Sequence, residues 1–382
     1  MSQFKNSIAQ SNVNFPIETV ITPIAGENYS RALIFIDLAN AATYLPGVTS
    51  VAAGDLIELT SANYGELTGG KLKTWLVPFF TKATTAKVGI AVFDTPTESG
   101  GGGDPTPATA PLSDVYQAKK MYAYFKFACE ESTNYNSVQV SLSTLCKADP
   151  LYSVCWIGTD DANVLSKSSA LITALKNAAS TARVIYNADS TINGALAQLG
   201  ASLSVVNDTG TPVGNSVDMV HFNTIQASGA ADEDGEHVNL TATEKAALDD
   251  QKIGYQTWVG DGTENVDTEG GLYLNGDSVG ANWVKAYIEY MCKIETASYI
   301  SRMNTFRNND TYQGIISILI SKVRPFLAFG RLDSFVVTAP SFDKLPTSGD
   351  QITVPNAWEA TYIDNVRQVT VYGTLYLTQP TR

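Results

Sequence analysis

The chain has 382 residues, 44% hydrophobic and 10% aromatic, with a net charge of −13. That length holds roughly two or three domains, and the acidic balance argues against nucleic acid as a partner, because phosphate binding needs a basic surface. No apolar run approaches the ~20 residues of a membrane span, the longest being Trp75–Phe80 and Gly314–Ile320, so no membrane partner is expected.

The start, MSQFKNSIAQ, lacks the charged and apolar regions of a signal peptide, and the expectation is a protein made and kept in the cytoplasm until an assembly leaves it. Met1–Asn14 is polar. Phe15, Ile17, Val20, Ile21 and Ile24 then form an apolar ribbon broken by Pro16 and Pro23, which suits an extended arm or edge strand. Strand-like runs follow at Ala32–Asp37 and Asp55–Leu59, then a helix over Lys71–Lys82 interrupted by Pro78, then a strand at Ala86–Asp94. Thr95–Pro111 is a Gly/Pro/Thr loop without core-forming residues, expected to be mobile and exposed.

Helices are predicted at Ser113–Cys129, Val164–Ala179 and Thr191–Ala201, and strands at Ser153–Gly158, Ala182–Asn187 and Met219–Asn223. That alternation points to an open α/β sheet. A helix at Ala242–Lys252 has Thr241 or Thr243 to cap it and Gly254 to end it. The strongest helix is Ala281–Met303, with Val284, Tyr287, Ile288, Met291, Ile294 and Ile300 spaced by threes and fours. A second, Tyr312–Val323, stops before Pro325, and a strand follows at Phe335–Pro340.

The last element is Val366–Leu377, where Val369, Val371, Leu375 and Leu377 share one parity and Thr370, Tyr372, Thr374 and Tyr376 the other. It either closes its own sheet or pairs with an open edge on a neighbouring copy.

Charge is unevenly placed. Residues 205–280 hold 14 acidic side chains against Lys245 and Lys252, whereas residues 281–335 are net basic through Lys285, Lys293, Arg302, Arg307, Lys322, Arg324 and Arg331. Two faces meeting different environments would account for this.

Catalytic signatures are missing. His221 and His237 are the only histidines, and no GxSxG, HExxH or GxxxxGKS/T sequence occurs. Cys129, Cys146, Cys155 and Cys292 have no CxxC spacing and read as buried thiols. Gly260–Gly271 offers Asp261, Glu264, Asp267 and Glu269 as oxygen ligands, but Val266 stands where an EF-hand loop needs glycine; a polar turn is the plainer reading. No catalytic residues, metal or cofactor are assigned, and an enzyme is not expected.

The layout of an N-terminal arm, an α/β portion, a GDGT…GGLY link (Gly260–Tyr273), a long helix from about Trp283 and a final strand VTVYGTLYLTQ (Val369–Gln379) resembles the contractile tail sheath family of myophages, R-type bacteriocins and related injection devices. The resemblance implies an outer α/β domain with an open mixed sheet (26–260) and an inner α+β domain (261–365), joined by the arm 1–25 and a linking strand 366–382. It further implies a virion tail component, assembled in the host cytoplasm, that polymerises helically with itself around a tail tube protein. Baseplate and tail terminator proteins would be further partners. Phe15, Ile17, Val20, Ile21, Val369, Val371, Leu375 and Leu377 would link subunits, and Lys285, Lys293, Arg302, Arg307, Lys322 and Arg324 are candidates for facing the tube. The alternatives are another virion subunit of baseplate, tube or capsid that exchanges arms, and an α/β enzyme.

Overall fold

The computed structural model describes residues 27–45, 51–67, 70–95, 109–128, 135–203, 221–222, 227–234, 238–258, 266–269, 271–303, 308–328, 330–345 and 357–362. The expected arm 1–25, most of the loop 95–111 and the expected strand 366–377 lie outside the described residues.

Nine strands form one sheet: β1 Arg31–Asp37, β2 Leu56–Thr60, β3 Lys87–Phe93, β4 Phe125–Ala128, β5 Val154–Thr159, β6 Arg183–Tyr186, β7 His221–Phe222, β8 Gly254–Trp258 and β9 Val266–Glu269. Their spatial order is β2-β3-β1-β4-β5-β6-β8-β9-β7. The centre, β3 to β8, is parallel throughout. β2 joins β3 antiparallel at one side, and β9 and β7 add antiparallel at the other. The sheet is therefore mixed, and through β9 it continues past residue 260.

Central strands read as unbroken apolar runs because both faces are covered. All seven residues of β1 are buried. Ala32, Ile34 and Ile36 point into one core, Leu33 and Phe35 into the other. Helices α1 Lys71–Lys82, α2 Leu112–Lys119, α3 Tyr135–Ala148, α4 Ala170–Ala178, α5 Gly194–Leu203, α6 Ala242–Gln251, α7 Val279–Met303 and α8 Asn309–Ala328 form the outer layers. α1, α5, α7 and α8 contribute to the first core, α2, α3, α4 and α6 to the second. Two further strands, β10 Leu332–Val337 and β11 Trp358–Tyr362, pair antiparallel beside α8.

Several expectations need correction. The helix predicted over 113–129 stops at Lys119, and Phe125–Ala128 is a buried parallel strand. Lys126 disguised it: a lysine in a four-residue apolar run breaks the pattern, yet its side chain is wholly buried. Its ammonium donates to the carbonyl oxygens of Lys120, Ala123 and Tyr152, satisfying the charge with main-chain dipoles. α3 went unread, although Val138, Leu142 and Cys146 recur every four residues on its buried side. β8, β9 and β11 were missed as well.

Pro78 and Pro325 sit inside helices rather than interrupting or ending them. Burial outweighs the lost hydrogen bond: Phe79 lies just past Pro78 and Phe326 just past Pro325, each at 0% exposure. Thr241, not Thr243, caps α6, in a reciprocal capping box with Glu244. Lys252, not Gly254, ends that helix, in the left-handed region at φ 64°, and Gly254 opens β8.

α5 is buried at every residue and lies tightly against α1. At Gly200 a Cβ would stand 2.6 Å from Phe79 Cα and 2.7 Å from its carbonyl oxygen. Gly→Ala inside a helix ordinarily gains about 0.5–1 kcal/mol, but here the backbones would have to part. Gly200→Ala is expected to lose about 1–3 kcal/mol, the usual range for overpacking, in a urea melt.

Burial also pushes the Lys126 ammonium down to about 7. The unfolded chain keeps that proton to about pH 10.4, so above pH 7 it binds more protons than the folded protein and stability rises with pH. Near pH 9 the Cys146 thiol, raised by burial, begins to oppose this. Urea midpoints should therefore climb between about pH 7 and 9, and Lys126→Met should flatten the climb.

Candidate assembly interface

The usual ligand position in an open α/β sheet is the crevice beyond the carboxyl ends of its strands. Here the carboxylates at that end close turns. Asp37 accepts from Ala39 N–H and the Thr95 hydroxyl, both at 2.9 Å. Asp94 accepts from the N–H groups of Thr109 (2.8 Å) and Ala110 (2.7 Å). Asp161 and Asp189 each accept an N–H two residues on, from Asn163 (3.0 Å) and Thr191 (2.8 Å). Among the described residues no group of three His, Cys, Asp or Glu side chains could hold a metal ion. Asp261, Glu264 and His237 lie outside the described residues, and His221 lies on β7.

The more open ground is the small sheet. Phe335 stands opposite Ala360 and Val336 opposite Glu359, with an irregularity between Leu332 and Ser334. One face, carrying Leu332, Phe335, Trp358, Ala360 and Tyr362, rests on the first core, with the Phe335 and Trp358 rings 6.2 Å apart. The other carries Ser334, Glu359, Thr361 and Val336, the last 57% exposed. Two strands alone are marginal in water; this pair depends on the helices beneath it.

Those helices form a hairpin. The Tyr299 side chain of α7 lies against Gly314 of α8, and Lys322 pairs with Glu295. α7 is bolted to the large sheet by aromatic rings. Tyr29, just before β1, stacks on Tyr124 at 4.6 Å and meets Tyr287 edge-on at 5.3 Å, while Trp283 meets Phe125 edge-on at 5.0 Å. Burial drives the Tyr29 and Tyr124 phenols far above the ordinary tyrosine range, with neighbouring tyrosines adding to the effect, so they stay neutral.

The candidate tube-facing residues separate on inspection. Lys285 and Arg324 are exposed, and Lys322 is partly exposed beside Glu295. Lys293 is turned inward: it is 8% exposed, donates to the Tyr152 hydroxyl, and sits 4.9 Å from that ring's centre. Its place on a helix with a mixed polar face gave no sign of this, since Tyr152 comes from the loop before β5. Arg302 belongs to α7, but its side chain is outside the described residues, as is all of Arg307. The subunit-linking candidates Phe15, Ile17, Val20, Ile21, Val369, Val371, Leu375 and Leu377 are likewise outside them. On the acidic side, Asp232, Glu233, Asp234, Asp249, Asp250 and Asp277 are exposed.

No protein-family model matches the sequence, and no curated protein matches it. Solved structures do. The chain is similar to one of the anti-feeding prophage baseplate, with a TM-score of 0.63 and 10% identity over 95% of this chain and 98% of that one. It is similar to a chain of the PVC sheath complex of an extracellular contractile injection system, in the contracted state, with a TM-score of 0.60 and 12% identity over 95% and 96%. For the contracted helical sheath of the anti-feeding prophage the TM-score is 0.60 and the identity 9%, over 95% and 99%. Across almost its whole length, this chain has the fold of contractile injection system sheath proteins.

Proposed function

We propose that the protein is a structural subunit of a contractile tail sheath, which polymerises helically around a tail tube and contracts to drive that tube through a target envelope. The observation that carries the reading is the shared fold, which spans 95% of this chain and 96% or more of each of the three chains described above. Whole-length likeness implies that no large catalytic insertion distinguishes this chain, and a non-enzymatic role fits the turn-closing use of its sheet-end carboxylates. The small sheet β10–β11 is the natural acceptor for terminal strands of neighbouring copies, which would complete it and join subunits into a continuous mesh. Under this reading the arm 1–25 and the strand 366–382 are the links. Residues 261–365 form the tube-facing part, and the acidic stretch of the α/β part faces outward.

Strand linkage suits a machine that moves without coming apart. A ladder of about ten residues contributes a comparable number of main-chain bonds, each worth about 0.5–1.5 kcal/mol net, and they must break together. A ring in the baseplate region is the second reading, favoured by the 0.63 TM-score with a baseplate chain.

Electron microscopy of the purified full-length protein, with its mass in solution, tests the reading: hollow striated tubes or rings are expected. A chain truncated before Val366 should stay folded and fail to polymerise, and Val371→Pro should weaken polymerisation more mildly. A collapsed, insoluble truncation would instead place the strand within its own subunit.

Charge reversal distinguishes surface from core. Lys285→Glu and Arg324→Glu, both at exposed positions, are expected to leave stability within about 0.5 kcal/mol while weakening docking on isolated tubes. Lys293→Glu puts an unpaired carboxylate beside the Tyr152 ring and should cost about 3 kcal/mol or more in a urea melt. Intact docking by the first two variants would remove these lysine and arginine side chains from the tube contact.

A further inference from the structure

Among the described strands, β2 is one edge of the nine-stranded sheet. Gly54 N–H donates to Val92 O at 2.7 Å and Val92 N–H to Asp55 O at 3.1 Å, which sets the phase of the β2–β3 ladder. Bonded pairs in an antiparallel ladder recur at every second residue. With Ile57 opposite Ile90 and Leu59 opposite Val88, the main-chain groups of Ile57 and Leu59 face β3. Those of Leu56, Glu58 and Thr60 face away from the sheet. An edge like this is a template for another strand.

Asn63 occupies it. After β2 the chain turns back, with Asn63 N–H bonded to Thr60 O at 3.2 Å. Asn63 Oδ1 accepts from Thr60 N–H at 2.6 Å and from Thr60 Oγ1 at 3.1 Å, and Asn63 Nδ2 donates to Glu58 O at 3.3 Å. Glu58 O and Thr60 N–H flank Leu59 on the outer side, and they are the groups that a residue of an added parallel strand opposite Leu59 would bond. A side-chain amide carries both a donor and an acceptor, so a single residue closes both positions. The Glu58 carboxylate is itself held, by Lys87 at 2.9 Å and the Tyr122 hydroxyl at 3.0 Å. Among the described strands the opposite end of the sheet is β7, of which His221 and Phe222 are described. Occupied main-chain groups are one way of blunting an edge.

We propose that Asn63 guards the β2 edge against strand addition by a second copy of this chain, which confines strand exchange between copies to other parts of the subunit. A second copy is the relevant intruder because the chain carries its own strand-forming segment, with Val369, Val371, Leu375 and Leu377 on one parity. Crowding of copies in an assembly raises the chance of misplaced pairing. The identity of the intruder rests on the sheath reading; the guarding of the edge does not.

The test compares the full-length protein with its Asn63→Ala variant by amide hydrogen exchange and light scattering over a range of concentrations. At low concentration, exchange at Thr60 N–H should be about tenfold faster in the variant, the effect of one lost hydrogen bond. At higher concentration the variant should associate, with new protection at the outward N–H groups of Leu56, Glu58 and Thr60 and in the one segment of the second copy that pairs with them. Adding Thr60→Pro, which removes the outward N–H without touching a bond to β3, should return association to the wild-type level. Unchanged exchange at Thr60, unchanged association, or association that leaves the outward N–H groups of Leu56–Thr60 unprotected would overturn the proposal. Should the alanine variant lose its fold, Asn63→Ser, whose short hydroxyl cannot span both groups, is read by the same outcomes. A wild-type protein that builds no tubes or rings would defeat the sheath reading and leave this comparison intact.

Discussion

The contact between α7 and the strands beneath it is the constraint on which the rest of the molecule depends. Helices on an open sheet are usually held by aliphatic side chains, which tolerate sliding; here the contact is made by rings. Tyr29, Tyr124, Tyr287 and Tyr290 meet around the entry to β1, and Trp283, Phe125 and Trp156 meet in the middle of the sheet. Edge-to-face pairs have a preferred geometry and gain about 0.5–1.5 kcal/mol beyond the area they bury. Displacing the helix along its axis would break several at once. α8 packs on α7, and β10 packs on α8, so the small sheet inherits its position through α8 from this set of rings.

The same contact bears on how the chain is divided. Tyr29 comes from near the start, Phe125 from the middle and Trp283 from the last third, yet all three lie in a single core. Sequence composition separates an acidic stretch from a basic one, and both expose charge, Asp232, Glu233 and Asp234 in the first and Lys285 and Arg324 in the second. Charge and packing are thus organised differently. The apolar interior is continuous across a boundary that charge composition draws in the sequence.

What was legible in the sequence follows from how strongly each element depends on its neighbours. β1, β3, β5 and β6 are buried on both faces and announce themselves as apolar runs. α7 is long enough for its spacing to stand out, its end falling at Met303 as predicted and its start two residues earlier. The capping box at Thr241 is a local interaction, visible from four residues. By contrast, β4 is short and interrupted by Lys126, whose burial is possible only because the loops before β4 and β5 supply carbonyl oxygens. Pro325 looks like a stop until the burial of Phe326 is known. Lys293 looks like a surface charge until Tyr152 is placed beside it, and Asn63 looks like an ordinary turn residue until the ladder phase shows which groups it meets. Each of these depends on a partner distant in sequence or on the geometry of a sheet, and neither is written in local periodicity. The mixed α/β architecture and its likeness to sheath proteins were legible, whereas the polar contacts that decide which surfaces are free were not.

The ladder itself is uneven. β1 and β3 match over seven residue pairs, but β4 and β5 match over only two, Phe125 with Val154 and Lys126 with Cys155. In a sheet loaded in shear, resistance grows with the number of bonds that must fail together, so the boundary between β4 and β5, as short as that between β6 and β8, would be a line of tearing if main-chain pairing were all that crossed it. Side chains sew it shut. Lys126 of β4 reaches the carbonyl oxygen of Tyr152 on the way into β5, and Phe125 lies edge-on to Trp156 at 5.4 Å. The buried lysine, costly in isolation, is therefore a stitch across one of the shortest seams, where two side chains add to the few main-chain bonds that join the strands.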